Sequence, residues 1–159
     1  MKNFLPEQYK SNNLLKINHN YLREQFSDYQ VIFKELEKVI IDGDFTLGEE
    51  VDKLEDEFSE LHRTSYSIAV GSGTDAIMLS LKACGIEKGD EVITTPFTFF
   101  ATIGAIVTAG GKPVFVDVDE DMNINPEKIE EKITKETKAI VPVHWTGRPC
   151  DMTKIDEIA

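Results

Sequence analysis

In the run Ser67-Ile68-Ala69-Val70-Gly71-Ser72-Gly73-Thr74-Asp75-Ala76-Ile77-Met78-Leu79, an apolar segment breaks at small residues and resumes with helical spacing. The chemistry open to such a bend is anion binding. A helix that starts on Gly73 and Thr74 leaves its first N–H groups without intrahelical partners, pointing at one spot where the peptide dipoles also favour negative charge. Gly71 and Gly73 let an anion approach the backbone, and the hydroxyls of Ser72 and Thr74 can donate further hydrogen bonds. A phosphate matches these donors. Strand-to-helix turns capped by Ser or Thr also occur where nothing binds, so the turn alone leaves both readings open. Its spacing is neither G-x-x-x-x-G-K-[ST] nor G-x-G-x-x-G, which argues against a P-loop nucleotidase or a dinucleotide fold.

The elements that must hold this bend follow a βα rhythm. Short apolar segments at Tyr66–Val70, Glu91–Thr95, Val114–Val118 and Ala139–Val143 predict four strands at intervals that suit βαβ crossovers, hence parallel strands covered by helices on both faces. Gly85 and Gly110-Gly111 end the first two crossover helices, and Asn125 with Pro126 at N1 opens a third. The crossover Phe97–Ala109 is nearly all apolar or small and is expected to be buried on several sides, with Phe97 and Phe100 in the core. Upstream, Ser27 and Gln30 predict a capping box for a helix carrying Ile32, Leu36, Val39 and Ile40 up to Gly43. A second amphipathic helix, with Val51, Leu54, Phe58 and Leu61 on one face, follows the break at Phe45-Thr46-Leu47-Gly48. Residues 1–19 are polar and Asn-rich and read as an N-terminal arm, with the folded part over 20–159. Asp151–Ala159 reads as a helix that has just begun. A four-stranded parallel sheet stopping there would leave an unpaired edge and an uncovered face, so the sequence is expected to be part of a longer protein.

With 159 residues, 41% hydrophobic and 29% charged, the composition is that of one soluble globular domain able to bury a core. The 29 acidic against 17 basic side chains give a net charge of −12, which disfavours nucleic acid and anionic membranes as partners. A small anion held at contact range remains compatible, because distant charges are screened within about 8–10 Å. No apolar run approaches the roughly 18 residues of a membrane span, and the opening MKNFLPEQYKSNN lacks a secretory core, so the expected location is the cytoplasm. Cys84 and Cys150 are far apart and lack metal-ligand spacing. Both read as reduced packing residues, and no metal site is expected.

Taken together, GDFTLGEEVDKLEDEF, VGSGTDAIMLSLKACGI, KGDEVITTPFTFFATIGAIVTAGGKPVFVDVD and INPEKIEEKITKETKAIVPVHWTGRPCDM resemble the DegT/DnrJ/EryC1/StrS family of sugar aminotransferases over about residues 20–159. The resemblance implies an α/β fold, a three-layer α/β/α arrangement with a mainly parallel sheet. It would be the N-terminal half of the large domain of a fold-type-I pyridoxal-phosphate (PLP) transferase, incomplete at its C-terminus. It also implies a homodimeric parent that transfers an amino group, commonly from glutamate, to a keto sugar carried on a nucleotide. By the same resemblance Ser72, Gly73, Thr74 and the N–H of Asp75 bind the cofactor phosphate, and Phe99 covers the pyridine ring. Thr46, Gly48 and His144 fall where the family approaches its substrate. For His144, a polar residue anchoring its loop is an equal alternative. Trp145 and Arg148 depart from the commoner family pattern.

The family holds the ring nitrogen with an Asp and the aldehyde with a Schiff-base Lys, both in segments downstream of the matched region. No catalytic residue is therefore assigned among residues 1–159, and these residues alone are not expected to transaminate. Lys82, Lys88, Lys128, Lys132, Lys135 and Lys138 lie on polar faces or turns, without the desolvation a nucleophilic amine needs. Two alternatives stand beside aminotransfer. One is a sugar dehydratase of the same family, with His in place of that Lys. The other is a non-catalytic phosphate-binding or dimerisation module.

Overall fold

The computed structural model describes residues 22–159, and the arm expected over 1–19 lies outside the described residues. The chain divides after Ser67 into two compact units. The first contains α1 (Leu22–Gln25), α2 (Tyr29–Asp42) and α3 (Glu49–His62). The capping box expected at Ser27 and Gln30 does not form. Asp28 occupies the N-cap position without a side-chain cap bond, because the turn leaving α1 runs directly into α2 and supplies backbone carbonyls instead. Gly43 ends α2 in the left-handed conformation (φ 71°), as its position predicts, donating to the Val39 carbonyl. Ile32, Leu36 and Ile40 of α2, and Leu54, Phe58 and Leu61 of α3, are all exposed.

Residues 68–159 carry α4 (Gly73–Ala83), β1 (Glu91–Thr94), α5 (Phe100–Ala109), β2 (Lys112–Phe115), β3 (Thr137–Val141) and α6 (Met152–Ile158). The strands form a parallel sheet in the order β2-β1-β3, with Ile93 opposite Val114 on one side and Ile140 on the other. Successive side chains of β1 point to opposite faces, and both faces are covered. Val92 joins Leu81, Ile86, Ile106 and Ala109 beneath α4 and α5. Ile93 joins Val116, Ile124, Ile129, Cys150 and Ile155 on the face covered by α6. This is the expected three-layer α/β arrangement.

The strand expected at Ala139–Val143 runs two residues earlier, over Thr137–Val141, and three further elements differ from the sequence reading. Tyr66–Val70 is not part of the sheet, and Tyr66 and Ile68 are 86% and 80% exposed. Its apolar residues have strand composition, but composition alone does not place a segment in a sheet, and the sheet consists of β2, β1 and β3. The strand expected at Val114–Val118 starts at Lys112. It ends at Phe115 because the chain then turns away, with Val118 bridging antiparallel to Ile124. The crossover from β2 to β3 contains two 3₁₀ turns, Pro126–Lys128 and Glu130–Lys132, instead of an α-helix. Asn125 does cap the first of them, its side chain accepting from Glu127 N–H at 2.9 Å. α6 has the expected start, with the Asp151 carboxylate accepting from Lys154 N–H.

At the amino end of β1, Glu91 is nearly buried and ties the three strands together. Lys112 Nζ of β2 donates to one of its carboxylate oxygens and Thr134 Oγ1, ahead of β3, to the other, each at 2.8 Å. The Lys112 bond and then the Thr134 bond hold the Glu91 carboxyl below the usual carboxylate range, and Glu91 in turn raises Lys112.

Candidate functional site

Topology decides which groups share an end of the sheet. α5 leaves the carboxyl end of β1, whereas α4 returns to its amino end through Gly85, whose φ of 81° suits the reversal. Because α4 and α5 pack side by side on one face, both begin at the carboxyl end of the strands. That end is where parallel α/β sheets gather ligands. The Ser72–Asp75 bend, Phe99 at the N-cap of α5 and His144 after β3 therefore lie at the same end.

At the bend, Ser72 is the N-cap in extended backbone (φ −165°, ψ 163°), and its Oγ accepts from Asp75 N–H at 3.1 Å. The same hydroxyl donates to Asp75 Oδ2 at 2.9 Å. Two donors that the sequence reading offered to an anion thus have local acceptors, the Asp75 N–H in the Ser72 oxygen and the Ser72 hydroxyl in the Asp75 carboxylate. The N–H groups of Gly73 and Thr74, first in the helix, have no intrahelical acceptor, and the Thr74 hydroxyl makes no bond within the described residues. A Cβ added at Gly73 would meet nothing within 4 Å, so no described atom crowds the side-chain position of this residue. At Gly71 a Cβ would come within 3.1 Å of Asp75 Oδ2, so the carboxylate occupies that flank of the bend. Two amides and a hydroxyl left without local acceptors fit a phosphate, and the carboxylate beside them sets a charge against it.

The aromatic segment is less buried than its composition predicts. Thr102, Ala105, Ile106 and Ala109 face the core, but Phe99 and Phe100 are 76% and 82% exposed. Phe100 is therefore not a core residue. α5 has one inward stripe at helical spacing, and the first turn carries Phe100 off it. Phe97 is also exposed, at 41%, and so is not a core residue either; its ring packs on Trp145, centroids 4.3 Å apart at 45°.

His144 Nδ1 accepts from Cys150 N–H at 3.1 Å, so its proton sits on Nε2 when the ring is neutral. Cys150 Sγ donates to the Val143 carbonyl at 3.2 Å, and burial pushes the thiol pKa up, away from nucleophilic chemistry. Arg148 Nε pairs with Asp121 Oδ2 at 3.3 Å. The residue missed by sequence reasoning is Asn123, 2% exposed, whose Oδ1 accepts from Trp145 N–H at 2.9 Å. Its only sequence signal was an amide side chain flanked by apolar Met122 and Ile124.

Thr46 and Gly48 belong to the first unit, in the loop before α3. A Cβ at Gly48 would collide with the Asp44 carboxylate, which accepts from Glu49 N–H at 3.3 Å and so serves the helix start from outside. Glycine at 48 thus has a local steric reason. Among the described residues no helix is long and apolar enough to cross a membrane.

The family model for DegT/DnrJ/EryC1/StrS aminotransferases matches residues 27–159. Over 140 residues the chain is 46% identical to a pleiotropic regulatory protein of Geobacillus stearothermophilus, a match covering 87% of this chain and 38% of the relative. It is 38% identical over 141 residues to the dTDP-3-amino-3,4,6-trideoxy-alpha-D-glucose transaminase of Micromonospora megalomicea subsp. nigra, covering 88% of this chain and 38% of that enzyme. The crystal structure of NtdA from Bacillus subtilis with bound cofactor PMP aligns with a TM-score of 0.81 at 42% identity, covering 84% of this chain and 31% of that one. The chain spans less than two fifths of the length of these relatives.

Proposed function

Because the chain belongs to the DegT/DnrJ/EryC1/StrS aminotransferase family, we propose that residues 68–159 supply the phosphate seat and ring face of a PLP site. In this reading the parent is a homodimeric aminotransferase acting on a nucleotide-linked keto sugar, with glutamate as donor. The observation that carries the reading is the pair of open N–H groups at Gly73 and Thr74, at the same sheet end as the exposed Phe99 ring.

The N–H groups of Gly73 and Thr74 and the Thr74 hydroxyl would hold the cofactor phosphate. Ser72 keeps α4 capped with a lone pair, so its proton can turn from Asp75 to the phosphate without loss of the cap. Asp75 contributes through its backbone N–H and its place in the cap. Phe99 offers a ring face, a contact worth about 0.5–1.5 kcal/mol beyond area burial. When bound, the cofactor supplies an electron sink for the carbon that gains or loses nitrogen. Exposed His144, its Nδ1 committed to Cys150, leaves Nε2 for a substrate hydroxyl or phosphate. Thr46 and Gly48 remain assigned to the substrate side, and the Schiff-base Lys and ring-nitrogen Asp to segments outside residues 1–159.

Titration of the chain with PLP, followed by its absorbance, tests the seat. Saturable binding that weakens in Thr74→Ala is the expected result. An equal response to PLP and inorganic phosphate, unchanged in Thr74→Ala, overturns the reading in favour of a bland anion-binding module.

A further inference from the structure

Asn123 makes more long-range connections than any side chain near the proposed site. Its N–H donates to Asp121 Oδ1 at 3.0 Å, and its Nδ2 group to Asp121 Oδ2, Arg148 O and Pro149 O at 3.2, 3.3 and 3.2 Å. Its Oδ1 takes the Trp145 N–H at 2.9 Å. The His144–Cys150 loop is thus held at both of its flanks by one planar amide. Only an amide can do this. A carboxylate would lose the donor and face both Asp121 and two carbonyls, and an aliphatic side chain would give up all three part-buried bonds to the loop backbone.

The loop needs such a clamp, because Thr146 holds a left-handed backbone (φ 52°) and Gly147 another (φ 87°), directly after the anchored Trp145. A non-glycine residue stays in that region only where its surroundings fix it. Trp145 in turn backs Phe97, whose N–H donates to Oγ1 of fully buried Thr95. Thr98 is tied to Thr102 by a 2.8 Å hydroxyl pair. The segment between β1 and α5 is therefore fixed below by Thr95, behind by Thr102 and from the side by Trp145, and Phe99 is the exposed ring it carries.

Resting on the assignment of Phe99 to the cofactor ring, we propose that Asn123 is a positioning residue. It fixes Trp145 against Phe97 and, through the short Phe97–Phe99 segment, sets where the Phe99 ring stands. The strut is readable without any ligand. In ¹³C-Phe-labelled protein, the ring current of Trp145, the single tryptophan of the sequence, should displace the Phe97 resonances. Asn123→Ala should return them toward unstructured positions and move those of Phe99, with the α5 amides of Ala105–Ala109 unchanged. Phe97→Leu leaves every Asn123 bond in place and should move Phe99 likewise, which keeps the test alive if Asn123→Ala does not fold. Phe99 resonances unmoved in Phe97→Leu, or Phe97 unmoved in folded Asn123→Ala, overturn the proposal.

The second arm is a cycle in PLP affinity. Asn123→Ala should weaken PLP by roughly 3–10-fold, the range an aromatic contact spans, and should add nothing in a Phe99→Ala background. Equal losses in both backgrounds mean a general structural role and overturn the proposal. A wild-type chain that never binds PLP refutes the cofactor reading, and the ligand-free spectra then decide the strut by themselves.

Discussion

Ser72 and Thr74 look equivalent in the sequence, two hydroxyls flanking Gly73, yet the structure separates their roles. Ser72 Oγ closes the first turn of α4 by accepting from Asp75 N–H, whereas the Thr74 hydroxyl supports nothing. Replacing an N-cap Ser by Ala costs about 1 kcal/mol, with a range of roughly 0.5–2. That cost should reach global stability, because Leu81 of α4 shares a core with Val92 of β1 and with Ile106 and Ala109 of α5. Ile77 and Met78, nearer the cap, pack against the same core, so fraying from the cap loosens that layer. With a urea slope of about 1–1.5 kcal/mol/M, Ser72→Ala should lower the unfolding midpoint by roughly 0.7–1 M. Thr74→Ala should shift it by less than about 0.5 M, since surface substitutions fall within ~0.5 kcal/mol. The same pair measured by PLP absorbance should invert. Thr74→Ala loses one hydrogen bond to a charged group, about 1.5 kcal/mol or roughly tenfold in affinity. Both variants keep the two open amides, but the Ser72 hydroxyl must first give up its bond to Asp75 Oδ2 to reach a phosphate, so Ser72→Ala should lose less. Midpoints that fall equally in the two variants, or fall only in Thr74→Ala, would refute the division between cap and seat.

Asp75→Asn removes the carboxylate charge that flanks the open amides, so it should tighten PLP or phosphate by about 2–5-fold at low salt, an advantage that shrinks at 0.5 M salt. The same change should slightly destabilise α4 in a thermal melt, because an acid in the first helical turn is lost. For Glu91, a folded-state pKa held down by Lys112 and Thr134 gives stability present above the unfolded-state value and lost as pH falls through the folded one. Melting temperature should thus fall on acidification below about pH 4.5, and Glu91→Gln should flatten that slope while lowering stability at pH 7. A slope identical in both proteins would show that Glu91 does not couple the strands.

Much of the architecture was legible from local rules. Gly43 and Gly110 end helices because each takes a left-handed conformation, and Asn125 and Asp151 cap because a short oxygen-bearing side chain meets an orphan N–H. Apolar blocks at βαβ intervals marked the three paired strands. The errors came where a long-range partner decides. Tyr66–Val70 has strand composition but lies outside the sheet, and Phe100 has core composition on the wrong side of its helix. Ser27 has a capping pattern in a place where the backbone of the preceding turn already serves the helix start.

The site shows the same division. The types and spacing of Gly71–Asp75 sufficed for the anion seat, because a helix start exposes its amides whatever surrounds it, and the aromatic run near Phe99 was visible as well. The Ser72–Asp75 bond is a local contact within one turn, but tertiary structure alone decided that His144 gives Nδ1 to Cys150 and that Asn123 holds the Trp145 N–H, with the Trp145 ring against Phe97. Each of the last two bonds a side chain to a backbone that a tight, partly left-handed loop brings beside it. Periodicity and propensity describe the chain along its own length, and such contacts exist only across the fold.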